Sequence, residues 1–174
     1  SDVWRMDLPP AFAGLQAAAR EVGSIQIQDS GTVAGNICNA SPAADGMPPL
    51  LTLEAEVEIA AHSAQRRVPL QDFVTGVRKI DLRPGEMVTA LHLPKLPEGA
   101  VGRFEKLGSR RYLVISISMV SALIGVTEGR ISTARVAVGA ASPVAQRLPA
   151  LEAALTGVAA ADLATFAFDD PAFY

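Results

Sequence analysis

Gly31-Thr32-Val33-Ala34-Gly35-Asn36, followed nine residues later by Asp45, is the most informative segment of the chain. Small residues here let backbone N–H groups approach a bound anion closely, and a nest of such donors favours phosphate oxygens. The Thr32 hydroxyl and the Asn36 amide add side-chain hydrogen bonding. The Asp45 carboxylate suits a ribose hydroxyl if the loop folds back. Plain turn geometry is the other reading of such a loop, and spacing alone leaves both open. Across residues 24–45, Gly31, Gly35, Asn36, Asn39, Ser41 and Pro42 punctuate the chain with no helical or strand period.

Outward from this loop the pattern is regular. Residues 8–22 read as a helix: Asp7 as cap, Pro9 and Pro10 in the first turn, Gly23 as stop, and Phe12, Leu15, Ala19 and Val22 on one face. Downstream, Pro48 and Pro49 introduce a short helical run through Leu50, Leu51 and Leu53. Residues 54–59 alternate as a strand, with Glu54, Glu56 and Glu58 on its solvent face; a turn at residues 62–65 leads to a partner around Arg67-Val68-Pro69. Residues 70–74 form a turn of helix closed by Gly76, Arg83-Pro84-Gly85 is a turn, and residues 87–93 are a strand. Pro94, Pro97 and Gly99 mark the best internal boundary. Beyond it, residues 103–107, 113–126 and 131–141 read as strands, the last two joined at Thr127-Glu128-Gly129-Arg130. Residues 147–155 are an amphipathic helix stopped by Gly157. The β-branched content of residues 113–126 favours strand over a buried helix. The outline is α+β.

The 174 residues are 49% hydrophobic and 19% charged, enough to bury a core without staples. Fifteen basic against 18 acidic residues, net charge −3, give no basic footprint, so no nucleic-acid partner is expected. No apolar stretch reaches the roughly 20 residues of a bilayer span. Asp2, Arg5, Asp7, Pro9 and Pro10 speak against a signal peptide. One cysteine, Cys38, and two histidines, His62 and His92, make a disulfide framework or structural metal site an unattractive reading; a reduced, cytoplasmic protein is expected. Cys38 reads as a small buried residue. His62, His92, the pairs Arg66-Arg67 and Arg110-Arg111, and Lys106 read as surface residues. No nucleophile elbow, P-loop or zinc-protease motif occurs, and no catalytic side chain is assigned.

Taken as an ordered series, the residues carry a resemblance. Ser24-Ile25-Gln26-Ile27, the run from Gly31 through Asn36-Ile37-Cys38-Asn39-Ala40-Ser41-Pro42-Ala43-Ala44 to Asp45, and Pro48-Pro49-Leu50-Leu51 resemble the second flavin-binding motif of the molybdenum hydroxylases. This is the FAD-binding subunit or domain (medium chain) of the xanthine dehydrogenase and carbon monoxide dehydrogenase family. The likeness continues through Val68-Pro69-Leu70-Gln71-Asp72-Phe73, Leu82-Arg83-Pro84-Gly85-Glu86 and Phe104-Glu105-Lys106-Leu107-Gly108-Ser109-Arg110. It reaches Val136-Ala137-Val138-Gly139-Ala140 and Ser142-Pro143-Val144-Ala145-Gln146-Arg147.

The resemblance implies an α+β fold: residues 1–96 as the second α/β subdomain of a PCMH-type FAD-binding fold, and residues 101–174 as a small antiparallel sheet-plus-helix domain, incomplete, resembling the carbon monoxide dehydrogenase flavoprotein carboxy-terminal domain. It implies FAD as cofactor, with Thr32, Val33, Ala34, Gly35 and Asn36 along its pyrophosphate, Asp45 on the ribose, Leu82 near the adenine or flavin, and Lys106 toward the flavin end. It implies a molybdopterin-binding large subunit and an iron–sulfur small subunit as partners, with electrons passing through FAD to NAD or another acceptor. Ala34 stands where the family usually has glycine, and Gln28 where it usually has arginine. A first flavin subdomain with its own glycine-rich loop has no counterpart here. Weak or no FAD retention by the chain alone is therefore expected, and a flavin-free assembly or interaction domain is the alternative.

Overall fold

The structure, a computed structural model, describes residues 2–173; Ser1 and Tyr174, the outer bounds of the two expected units, lie outside the described residues. Architecture is α+β, as expected from the sequence, with one three-stranded and one four-stranded sheet.

The amino-terminal part opens with a short helix α1 (Asp2–Arg5) and a 3-10 turn at Pro10–Phe12, which runs into α2 (Ala13–Glu21). Asp7 does not cap this segment. Pro9 occupies the cap position, and two consecutive prolines delay regular hydrogen bonding by a turn. Residues 24–45 are more ordered than expected: they hold α3 (Ile25–Ser30) and α4 (Val33–Cys38). Six residues cover less than two turns, too short for a helical period to show.

Helix α5 (Met47–Thr52) follows and is buried at every position, which suits its apolar run Met47–Leu51 and a start on two prolines; the buried Thr52 hydroxyl donates to the Pro49 carbonyl at 2.9 Å. Strands β1 (Glu56–Ala60), β2 (Gln65–Pro69) and β5 (Met87–His92) form an antiparallel sheet in the order β2-β1-β5. Between them lie α6 (Leu70–Phe73), the expected turn of helix, and a hairpin of β3 (Val74–Gly76) with β4 (Lys79–Ile80) that the sequence did not disclose. Glu54 sits outside β1 with φ of 55°, so it leaves the row formed by Glu56 and Glu58.

Strands β6 (Val101–Leu107), β7 (Ser118–Thr127), β8 (Arg130–Gly139) and β9 (Gln146–Arg147) make the second antiparallel sheet in chain order. Glu128 and Gly129 take positive φ (51° and 75°), the left-handed pair that a tight hairpin needs. The strand expected from residue 113 begins only at Ser118. Leu113 has φ of 49°, and Ser116 turns inward, so residues 108–117 form an irregular loop despite their β-branched content. Helix α7 (Pro149–Leu155) packs on β8; Arg147 belongs to β9 instead of this helix.

One hydrophobic core joins the two parts: Leu50, Val57, Phe73, Leu123 and Ala137 belong to a single buried cluster. Helix α2 lies against the second sheet through two glycines. A Cβ on Gly102 would stand 2.4 Å from the Ala11 carbonyl oxygen, and one on Gly14 would stand 2.9 Å from that of Arg103. Arg147 and Arg135 also donate to the Leu51 and Thr52 carbonyls at the end of α5 (3.3 Å each), tying that helix to the sheet. Among the described residues no helix is long and apolar enough to cross a membrane.

Candidate functional site

The Thr32–Asn36 run forms the start of α4. Thr32 is extended (φ −114°, ψ 155°), and its Oγ1 accepts the Gly35 N–H at 2.9 Å, the usual device of a threonine N-cap. The Asn36 N–H donates to the Thr32 carbonyl at 3.0 Å. Two of the expected phosphate donors are thus committed internally, a correction to the reading in which all converge outward. The N–H groups of Val33 and Ala34, in the first helical turn, have no carbonyl within the helix to bond. The Asn36 Oδ1 accepts the Gly46 N–H at 3.1 Å, which leaves the amide nitrogen as a donor.

A cleft of about 540 Å³ opens beside this turn. Leu15 and Ala19 of α2, Val22 just after it and Ile27 of α3 supply an apolar wall. Ser30, Thr32, Asn36 and Asn39 supply a polar rim, and no acidic side chain is among the lining residues described. This donor set fits a dinucleotide: a flat apolar surface for a ring, and neutral donors with the positive end of a short helix for a diphosphate. Gly35 and Gly46 both line it, and a Cβ there would meet Thr32 Oγ1 at 2.9 Å or Asn36 Oδ1 at 2.7 Å. Helical Ala34 has no positive φ, so its methyl is unstrained, and it is absent from the lining. Gln28, also in the lining, donates to the Arg20 carbonyl at 3.0 Å and so ties α3 to the end of α2.

Asp45 and Lys106 come together, 61 positions apart in sequence. Lys106 Nζ is 3.0 Å from Asp45 Oδ1, with side chains 8% and 10% exposed, and Ser116 Oγ donates to the same oxygen at 3.2 Å. Lys106 is therefore no surface lysine. Burial pushes the Asp45 carboxyl above its ordinary range, against the opposing pull of Lys106 and Ser116. Neither Asp45 nor Lys106 is among the residues lining the cleft; Lys106 borders a separate one of about 440 Å³ with Arg110 and Arg111. Leu82 is half-buried against the main core and does not line the cleft either.

Other expectations change as well. Arg66 is clamped by Asp81 (2.6 Å) and Glu86 (2.8 Å), so it is not a solvated basic residue. His92 pairs with Glu58 at 2.7 Å. Cys38 is half-buried on α4, and burial raises its thiol pKa. Reading the sequence missed the apolar wall. Leu15, Ala19 and Val22 do show helical spacing, but that signal marks any covered face, whether by core or by ligand.

The family described as the FAD binding domain in molybdopterin dehydrogenase matches residues 3–96. A xanthine dehydrogenase FAD-binding subunit of Escherichia coli O157:H7 is 35% identical over 130 residues, 74% of this chain and 44% of that protein. The nicotine 6-hydroxylase medium subunit of Paenarthrobacter nicotinovorans is 29% identical over 144 residues, 82% of this chain and 50% of that one. Carbon monoxide dehydrogenase from Hydrogenophaga pseudoflava superposes with a TM-score of 0.81 at 26% identity, over 91% of this chain and 55% of that chain. The chain thus spans about half the length of the relatives it matches.

Proposed function

The chain belongs to the family of FAD-binding domains of molybdopterin dehydrogenases, with FAD as its cofactor, and from that premise we propose that the cleft between α2 and α4 holds the FAD diphosphate within the flavoprotein component of a molybdenum hydroxylase. Bound FAD supplies the redox chemistry, relaying electrons from the iron–sulfur clusters of a small subunit to NAD or another acceptor while substrate is hydroxylated at a molybdopterin centre on a large subunit. This chain's own residues bind and orient.

The observation that carries the reading is the capped start of α4. Thr32 fixes the first turn, which leaves the Val33 and Ala34 N–H groups without a carbonyl in the helix to bond, and Val33 itself lines a cleft with no acidic side chain among its lining residues. Thr32 and Asn36 complete the donor set, and Leu15, Ala19 and Val22 cover the flat part of the ligand. Hydrogen bonds to a charged group contribute about 1.5–3 kcal/mol each, and association costs roughly 4–15 kcal/mol. A few such bonds leave a small surplus, so this chain alone is expected to bind FAD weakly, with the remainder of a longer subunit supplying further contacts.

Titrating the chain with FAD, ADP and adenosine tests this. FAD and ADP should compete for one site, with adenosine at least about tenfold weaker because it lacks the diphosphate. Equal binding of ADP and adenosine, or no FAD binding even within a full-length subunit, would overturn the assignment and favour a flavin-free assembly domain.

A further inference from the structure

We infer that Arg78, in the turn between β3 and β4, is a positioning residue for the cofactor cleft: it sets the Asn39 amide as a hydrogen-bond donor to a nucleoside half of the dinucleotide. This rests on the cleft being the FAD site. Thr32, Asn36 and Asn39 follow one another at spacings of four and three, so they fall on one face of α4 and its ends, and all three border the cleft. Asn39 stands six residues past Val33, about 9 Å along a helix axis. A diphosphate at the start of α4 is out of its reach; an acceptor on the attached sugar or ring is not.

The β3–β4 hairpin clamps this position. Helix α4 is capped at Asn39, and Ala40 (φ 47°) is the left-handed residue beyond it. The Ala40 carbonyl accepts the Arg78 N–H at 2.9 Å. Arg78 Nη1 donates to the Asn39 carbonyl at 3.0 Å and also to Asn39 Oδ1. With Oδ1 engaged, the amide nitrogen is the group that Asn39 has left to offer. Asn36 is set the same way, its Oδ1 taken by the Gly46 N–H. Both rim asparagines therefore present donors, which suits the phosphate, hydroxyl and ring carbonyl oxygens of FAD. Arg78 is absent from the lining, so its effect on a ligand passes through Asn39.

The test titrates the 174-residue chain with FAD, comparing Arg78→Met, Asn39→Ala and the double variant. Both side chains are exposed, so the variants should fold. Each single variant should bind FAD about fivefold more weakly, and the double variant no more weakly than Asn39→Ala. Additive losses would overturn the inference: the bonds from Arg78 to the Asn39 and Ala40 carbonyls survive in Asn39→Ala, so a residue that merely caps α4 would still matter there. Parental affinity in either single variant would overturn it as well. ADP and FMN, each carrying one half of FAD, locate the acceptor. Asn39→Ala should weaken one of them and spare the other, and an equal effect on both would count against the inference. If the parent shows no saturable FAD binding, the cleft reading fails and this inference falls with it; every other adverse result leaves that reading standing.

Discussion

Gly102→Ala is the sharpest perturbation of the cleft that touches no cleft residue. The new Cβ would lie 2.4 Å from the Ala11 carbonyl oxygen, 3.1 Å from the Gly14 nitrogen and 3.2 Å from the Ala11 carbonyl carbon. Ordinary contact begins near 3.4 Å, so the segment running from Pro10–Phe12 into α2 must retreat from β6 by about 1 Å. No side-chain rotation relieves the clash, because every opposing atom is backbone. Overpacking of this kind costs about 1–3 kcal/mol, and backbone opposition places Gly102→Ala in the upper part of that range. For a chain of this length that corresponds to a fall of roughly 4–10 °C in melting temperature. Gly125→Ala is the control on the same sheet, since its nearest neighbour would be Thr133 Cβ at an ordinary 3.4 Å. Thermal unfolding followed by circular dichroism, with ADP titration of the folded chain, reads both effects. Displacement of α2 moves Leu15 and Ala19, so ADP affinity should fall along with stability. A Gly102→Ala chain that melts within a degree of the parent would refute the close backbone packing on which this wall depends.

Three further outcomes follow from particular contacts. Arg147→Met should destabilise by about 3 kcal/mol, because it strips Glu152 of a largely buried partner at 2.5 Å and the Leu51 carbonyl of a donor, whereas Arg67→Met, at an exposed 3.5 Å pair, should cost under about 1 kcal/mol in urea unfolding. Hydrogen bonds from Arg66 and then the Arg83 N–H hold the Glu86 carboxyl at about 2, below its ordinary 4.5. A depressed carboxyl stabilises the fold above its unfolded pKa and loses that contribution as pH falls through the folded one. Stability should therefore drop between pH 4.5 and about 2, and Glu86→Gln should flatten that part of a melting-temperature profile. Thr32→Val removes the cap on the Gly35 N–H and should cost about 1 kcal/mol in thermal melts, with weaker ADP binding from a frayed first turn.

Much of the fold is legible because it is local. Alternation in β1 and β5, the Glu128-Gly129 turn and the proline-initiated α5 each declare themselves within a few residues. The sequence marks the Thr32–Asn36 run as a turn of small and polar residues, but not the helix that it opens. What escaped depends on distance or on length. The Lys106–Asp45 pair spans two sheets' worth of chain, and base rates favour an exposed lysine until the tertiary partner is known. Helices α3 and α4 are too short for periodicity, and the left-handed Leu113 overrides the strand propensity of its neighbours. Leu82, placed near the adenine or flavin by resemblance, is half-buried against the main core and outside the lining of the cleft beside α4.

The most direct measurement is a nitrogen-15 amide titration of the chain with FAD, read residue by residue. Saturable shifts concentrated at Val33 and Ala34, with the Leu15 and Ala19 amides responding alongside, are the predicted result. Shifts confined to another surface, with these two amides unmoved at saturation, would contradict the placement of the diphosphate at the start of α4.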